Sequence, residues 1–289
     1  MKYFVILVIV LISFLGLLFY QFFKFNDAKL HLVFCNVGQG DAIFIRTPKG
    51  LDILIDGGPD DSVLHCLSKH MPFWDRDLEL VISTHPHNDH FAGFLQVFKD
   101  YKIRNFATEN LGNKTLNYNA FMDLVKSQKI PNRFVLAGDK FTLKDGVSFS
   151  IVGPTEEFLN ETSPQGFIGE SGEFASVETL VRYGKFSALL TGDSQATELG
   201  EAASGKGQAL RDLSILQVPH HGSRTGLDSE LLNILNPKLA VISIGKNNRY
   251  GHPAQGILKI LGDKDIRILR TDLDGEVEII SDGNSWQAR

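Results

Sequence analysis

Cysteine is scarce in this chain: there are two in 289 residues, too few for a disulfide framework. A fold without that framework rests on a hydrophobic core. The 43% hydrophobic composition is enough for one large α/β domain or two small ones. Cys35 lies in an apolar strand pattern and reads as a small core residue, while a Cys35–Cys66 disulfide stays open if the domain is exported. Basic excess is also absent. Twenty-nine Lys and Arg stand against 34 Asp and Glu, a net charge of −5 with nine histidines neutral, which excludes a general cationic field for nucleic acid. An anionic substrate therefore needs a local attraction, of the kind bound metal ions supply.

Long hydrophobic runs are limited to one. Residues 3–23 are apolar apart from Ser13, Gly16 and Gln21, and Lys2 precedes them. About 20 such residues span the hydrocarbon core of a bilayer. The run exceeds a usual signal-peptide core and no Ala-x-Ala site follows it, so residues 1–24 are expected to be an uncleaved single-pass anchor. A cleaved signal peptide, with secretion of the rest, is the alternative. The α-amino group and Lys2 compete with Lys24 and Lys29 in setting orientation, and a signal anchor would make the domain formed by residues 25–289 extracytoplasmic.

Within that domain, residues 29–36, 42–47 and 52–55 read as short strands broken by glycine turns. Residues 62–69 read as a helix, 78–83 as a buried strand and 91–100 as an amphipathic helix. Residues 105–132 form a polar excursion with a helical middle at 119–128. Further strands fall at 141–143, 147–152, 179–183 and 187–190, and residues 154–173 read as a long loop. The last third alternates strand and helix patterns. Sheet and helix patterns recurring in this order predict two packed sheets with helices outside, an αββα sandwich.

The chemistry concentrates after apolar strands. His85-Pro86-His87-Asn88-Asp89-His90 puts three imidazoles and a carboxylate in six positions, a donor set suited to Zn²⁺, Mn²⁺ or Fe. Thr191-Gly192-Asp193 repeats the layout with an oxygen ligand able to bridge two cations, although Gly-Asp is also an ordinary turn. Pro219-His220-His221-Gly222-Ser223 follows another strand. Adjacent residues of an extended segment point in opposite directions, which predicts only one metal ligand between His220 and His221. Arg249-Tyr250-Gly251-His252 offers a cation, a phenol and an imidazole for holding and protonating a phosphate-like group. Asp41 and Asp56 are strand-adjacent carboxylates that could accept the second N–H of a ligand histidine, or serve as turn residues. His31, His65 and His70 belong to no such cluster.

Taken in order, residues 36–41, the Asp-Gly-Gly run ending at Gly58, residues 84–90, 189–193, 218–223 and 249–253 resemble the metallo-β-lactamase superfamily. In particular they are similar to the corresponding domain of ComEC-type competence proteins. The resemblance implies two divalent ions, Zn or Mn, with His85 and His87 on one, Asp89 and His90 on the other, Asp193 bridging and His221 closing the site. Asp89, His220 and His252 are the expected catalytic residues, and Ser223, Arg249, Tyr250 and His252 the expected substrate contacts. The chain departs from the family pattern in one place: no histidine occurs between His90 and His220. Glu173 and Ser176 occupy the corresponding stretch, and Glu178 is a candidate substitute ligand.

The expected activity is metal-dependent hydrolysis of a phosphodiester. Single-stranded DNA enters as substrate, and a DNA-uptake channel protein as partner, through the resemblance alone. A small-molecule phosphodiesterase acting on a choline or nucleotide ester is one alternative. It would show a closed aromatic pocket in place of an open groove carrying Lys114, Lys126, Lys129 and Arg133. A β-lactamase or lactonase and a non-catalytic module of a surface assembly remain the other two.

Overall fold

The computed structural model describes residues 1–169, 175–204 and 210–289. Two sheets face each other. One has eight strands in the order Trp286–Ala288, Val277–Ser281, Leu30–Phe34, Ile43–Arg46, Asp52–Ile55, Leu80–Ser83, Phe106–Thr108 and Asn132–Phe134. The other has seven, in the order Arg267–Arg270, Leu239–Ile242, Ile215–Gln217, Phe186–Leu190, Glu178–Tyr183, Ser148–Gly153 and Lys140–Thr142. Successive residues of a strand point to opposite faces, and that alternation builds the layers. Leu30, Leu32 and Phe34 enter the core between the sheets with Ile53, Ile55, Phe149, Leu190 and Val241. Val33 and Phe44 face outward, where Leu67, Phe94, Phe98 and Phe121 from helices cover them. On the far side Leu189, Leu216 and Ile242 are covered by Leu231, Leu235 and Leu261. Each sheet is thus buried on both faces, and the αββα sandwich read from the sequence is the architecture present.

Two segments differ from the expected pattern. The stretch read as a loop contains a helix, Glu156–Thr162, started by Thr155, whose hydroxyl accepts the Phe158 amide hydrogen. Its seven residues bury only Phe158, Leu159 and Thr162, too short a stripe for periodicity to reveal. Ala196–Ser204 is a second unforeseen helix, and Glu173 lies outside the described residues.

Cys35 and Cys66 form a disulfide inside the core, 31 residues apart in sequence. The N-terminal helix, Lys2–Phe25, has a mean hydropathy of 2.8 and buries none of its residues, which makes it a candidate membrane span or signal sequence. Its 24 residues reach about 36 Å, enough to cross the hydrocarbon core. Its end is fastened to the sandwich: Arg46 Nε donates to the Phe25 carbonyl at 3.1 Å, and Lys24 Nζ donates to that of Lys69 at 3.4 Å.

Candidate metal centre

The strands Asp52–Ile55 and Leu80–Ser83 are parallel, as are Phe186–Leu190, Ile215–Gln217 and Leu239–Ile242. The segments leaving their C-terminal ends meet in one place. These segments carry Asp56, His85 to His90, Asp193, His220 and His221, and His252. Close backbone contact locks them together: a Cβ on Gly93 would lie 1.9 Å from the Gly57 carbonyl oxygen, so only glycine lets the Asp56 turn seat against the His90 helix.

Asp193 stands at the middle, 3% exposed. Its Oδ2 lies 3.7 Å from His85 Nε2 and 3.6 Å from His220 Nε2, and His85 Nε2 is 2.9 Å from His87 Nδ1. Its Oδ1 lies 3.3 Å from His90 Nε2 and 3.5 Å from His221 Nε2, which is in turn 3.6 Å from Asp89 Oδ2. Tetrahedral ligation at about 2.0–2.1 Å separates neighbouring ligand atoms by about 3.4 Å. The observed spacings fall around that value on both sides of Asp193. His90 Nε2, His221 Nε2 and Asp193 Oδ1 are buried with no hydrogen-bond partner, an unusual state for buried polar atoms. Donor type, spacing and orphaned atoms all fit divalent metal ions.

The rings are held from behind. His90 Nδ1 donates to Asp56 Oδ2 at 2.7 Å, and Asp56 also accepts from the Thr84 amide at 2.8 Å and the Thr84 hydroxyl at 2.7 Å. His221 Nδ1 donates to the Ser243 carbonyl at 3.0 Å. Asp41 Oδ1 lies 3.8 Å from that same nitrogen, and Gln217 Nε2 donates to Asp41 Oδ2 at 2.8 Å. Ser176 Oγ accepts the Asp193 amide at 3.2 Å, so this residue supports the central carboxylate from behind. Glu178 is buried and belongs to neither ligand group among the described residues. The composite Cys66, His70 and Glu276 is no rival metal site, since Cys66 is consumed in the disulfide.

His220 and His221 do not lie in an extended segment. Both have left-handed backbones, φ 51° and 54°, followed by Gly222 at φ 80°. This local winding turns both imidazoles toward Asp193, which corrects the expectation that one of them must point away. Such conformations cost non-glycine residues about 1–2 kcal/mol each and collect at functional sites.

Burial alone would discourage ionisation of Asp193, but the neighbouring charges of His90, His221 and His85 overcome it and hold the carboxyl well below its ordinary range. Burial likewise disfavours a charged His221, yet Asp193 and Asp41 push it up to about 9 in the absence of metal. His85, His87 and His220 are held below the ordinary histidine value, chiefly by burial. They are therefore neutral at pH 7, the form that donates a lone pair to a metal.

The open side is a pocket of about 300 Å³ lined by Gln39, His87, Asn88, Asp89, Asp193, His220, His221, Tyr250 and His252. The His252 ring is 5.8 Å from that of His220, and Tyr250, 70% exposed, stacks on His252. Asn248 pins the turn by donating to the His252 carbonyl and accepting its amide. Ser223 and Arg249 are outside the pocket lining. On the other rim, Asn113 donates to the Pro86 carbonyl and Asn117 to Asn88, which joins the excursion at 105–132 to the histidine loop. Thr84, Gln217, Gln39 and Asn88 were not anticipated as site residues; Thr84 and Asn88 carried a signal in their position beside or within the histidine cluster, and Gln39 in its place within the motif at residues 36–41.

Fold and site define an αββα protein with a candidate metal centre built around one central aspartate. Residues 35–246 match the metallo-beta-lactamase superfamily, and the chain belongs to it. It is 28% identical to ComE operon protein 3 of Bacillus subtilis (strain 168) over 84% of this chain and 32% of that protein. It is 31% identical to Competence protein ComA of Neisseria gonorrhoeae over 84% of this chain and 31% of that one. The chain thus spans about a third of the length of these curated relatives. Among solved structures, the metallo-beta-lactamase fold protein YhfI of Bacillus subtilis superposes with a TM-score of 0.56 at 10% identity, covering 86% of this chain and 99% of that one. That likeness is one of fold.

Proposed function

We propose that this protein is a membrane-anchored two-metal phosphodiesterase that cleaves single-stranded DNA during DNA uptake. The observation that carries the reading is Asp193, whose two oxygens face separate sets of imidazoles. In this reading His85, His87, His220 and Asp193 Oδ2 hold one ion, and Asp89, His90, His221 and Asp193 Oδ1 hold the other, both Zn²⁺ or Mn²⁺. His220 stands in for the histidine missing from the middle of the chain. Ions so held supply Lewis-acid polarisation of a phosphoryl oxygen and an activated water. Asp56 and the Ser243 carbonyl fix the tautomers of His90 and His221, so that each presents Nε2 to the centre.

His252, kept neutral chiefly by burial, donates its ring N–H in a hydrogen bond to a phosphate oxygen. Tyr250 offers an exposed ring on which a neighbouring base stacks. Arg249 and Ser223, outside the pocket itself, meet flanking phosphates of a polymer. The likeness to a competence protein supports DNA uptake as the setting, and a channel protein is the partner this reading calls for. The Cys35–Cys66 disulfide supports an oxidising compartment and hence an extracytoplasmic domain of residues 25–289 carried on the helix. The pocket's volume, at the lower limit for small-ligand sites, favours a small phosphodiester as the second reading.

The test is the full chain loaded with Mn²⁺ or Zn²⁺, given end-labelled single-stranded DNA and, separately, bis(p-nitrophenyl) phosphate, with Asp193→Ala alongside. Metal-dependent DNA cleavage that the variant lacks is the expected result. Hydrolysis of the small diester alone would transfer the assignment to the second reading. Inertness of the metal-loaded chain toward both would overturn phosphodiester hydrolysis.

A further inference from the structure

A cavity of about 620 Å³, twice the volume of the metal pocket, lies at the foot of the N-terminal helix. Lys24, Lys29, Arg46, Lys69 and Arg289 line it, against the carboxylates of Asp27 and Glu278. Both signs are partly paired: His31 contacts Asp27 and Glu278 at 3.0 and 2.7 Å and Arg289 binds Glu278, while Arg46 pairs with Asp52 and Lys69 with Glu276, each at 2.6 Å, so the excess positive charge comes from Lys24 and Lys29. The cations are fixed at the level where the helix ends. Lys24 is in its last turn, and Arg46 holds the Phe25 carbonyl with its guanidinium 5.8 Å from the Phe25 ring. The same face carries an exposed aromatic pair. Phe73 and Trp74, each 46% exposed, pack edge to face at 4.9 Å, and the next residue, Asp75, lies 3.8 Å from Arg46.

A cavity of mixed polar and apolar lining, edged by basic residues and flanked by exposed aromatic rings, has the composition of a membrane–water interface. We propose that this face docks on an anionic bilayer, with a phospholipid phosphate in the cavity and Phe73 and Trp74 at headgroup level. The domain would then be held against the membrane by its surface as well as by its helix. Its active-site opening would keep a fixed relation to the bilayer. The proposal rests on the reading that the helix is retained as a membrane span.

Trp74 is one of two tryptophans, so Trp286→Phe makes it the sole reporter. The full chain carrying that change is placed in nanodiscs of phosphatidylcholine with a minority of phosphatidylglycerol, one lipid at a time bearing bromine. Quenching of Trp74 reports which lipid surrounds the face. Brominated phosphatidylglycerol is expected to quench at least about fivefold more per molecule, the preference of one basic residue near a charged surface. Lys24→Gln, Lys29→Gln and Lys69→Gln together should bring the ratio to one. A ratio of one in the unaltered face, in a chain whose intact mass shows the helix retained, overturns the lipid site alone. Loss of residues 1–24 on maturation overturns the anchor and, with Lys24, the site. If inorganic phosphate binds the chain while the quenching ratio in phosphate-free nanodiscs stays at one, the cavity takes a soluble anion and the docking proposal fails.

Discussion

Replacing His220 with glycine separates its role as a ligand from its role in the backbone. At φ 51° and ψ 47° the imidazole is held in a conformation that glycine adopts without steric cost. The change relieves about 1–2 kcal/mol of left-handed strain. It gives back up to about 1 kcal/mol because glycine has more freedom in the unfolded chain. Metal-free stability should therefore rise by no more than about 2 kcal/mol, or at most roughly 4–8 °C in melting temperature. Metal binding should respond far more. His220 Nε2 is 3.6 Å from Asp193 Oδ2, the oxygen that also faces His85, and in the proposed reading it completes the group formed by His85, His87 and Asp193. Even a residue that only supports a ligand changes affinity 10- to 100-fold, so loss of a ligand should weaken one site by at least about 100-fold, or ~2.7 kcal/mol. Metal content by mass spectrometry after equilibration with limiting Zn²⁺ should fall from two ions per chain to one, and titration calorimetry should lose one binding phase. Two ions at unchanged affinity in His220→Gly would refute the assignment of His220 to the Asp193 Oδ2 side.

Asp56→Asn should keep the fold but lower affinity at the His90 site by about 10- to 100-fold, because the amide no longer anchors Nδ1–H as a carboxylate does; a calorimetric titration with Zn²⁺ measures it. Far from that centre, burial opposes ionisation of Glu278, yet His31 and Arg289 hold its carboxyl down to about 2. His31 is raised above its ordinary 6.5: burial opposes this, and Glu278 and Asp27 overcome it. A depressed acid stabilises above its unfolded value and loses this as pH falls toward 2; a raised histidine stabilises below 6.5 and loses this as pH rises through its folded value. Both contributions are present between about pH 4.5 and 6.5. Glu278→Gln should therefore cost up to about 3 kcal/mol at pH 5.5 and clearly less at pH 8.5. Denaturant melts at the two pH values check this, and an equal cost at both would contradict the coupling.

The αββα architecture was legible because each strand is a short apolar run whose alternate residues serve two cores, as Leu32 and Val33 do. The segments that form the site were legible for a related reason. Four polar clusters each follow such a strand, and parallel neighbours bring those strand ends together. Conformation inside a segment was not legible. Strand alternation assigns His220 and His221 to opposite directions, whereas three consecutive left-handed residues turn both inward. Gln217 carries no chemical signature; it matters because it donates to Asp41, 176 residues away, and accepts the Thr191 and Gly192 amides of the turn before Asp193. The disulfide was open for the same reason, since spacing along a chain gives no distance across it. The helix Glu156–Thr162 escaped because two buried apolar residues make no periodicity, although Thr155 followed by Glu156 and Glu157 is a helix-start signal.

Anomalous diffraction from the metal-loaded protein at the zinc or manganese edge tests the central claim most directly. Two peaks are predicted, one within about 2.0–2.2 Å of each Asp193 oxygen, with His85, His87 and His220 around the first and Asp89, His90 and His221 around the second. The peaks should lie about 3.5–4 Å apart, as in two-metal hydrolytic sites. A single peak, or a pair not bridged by Asp193, would contradict the account.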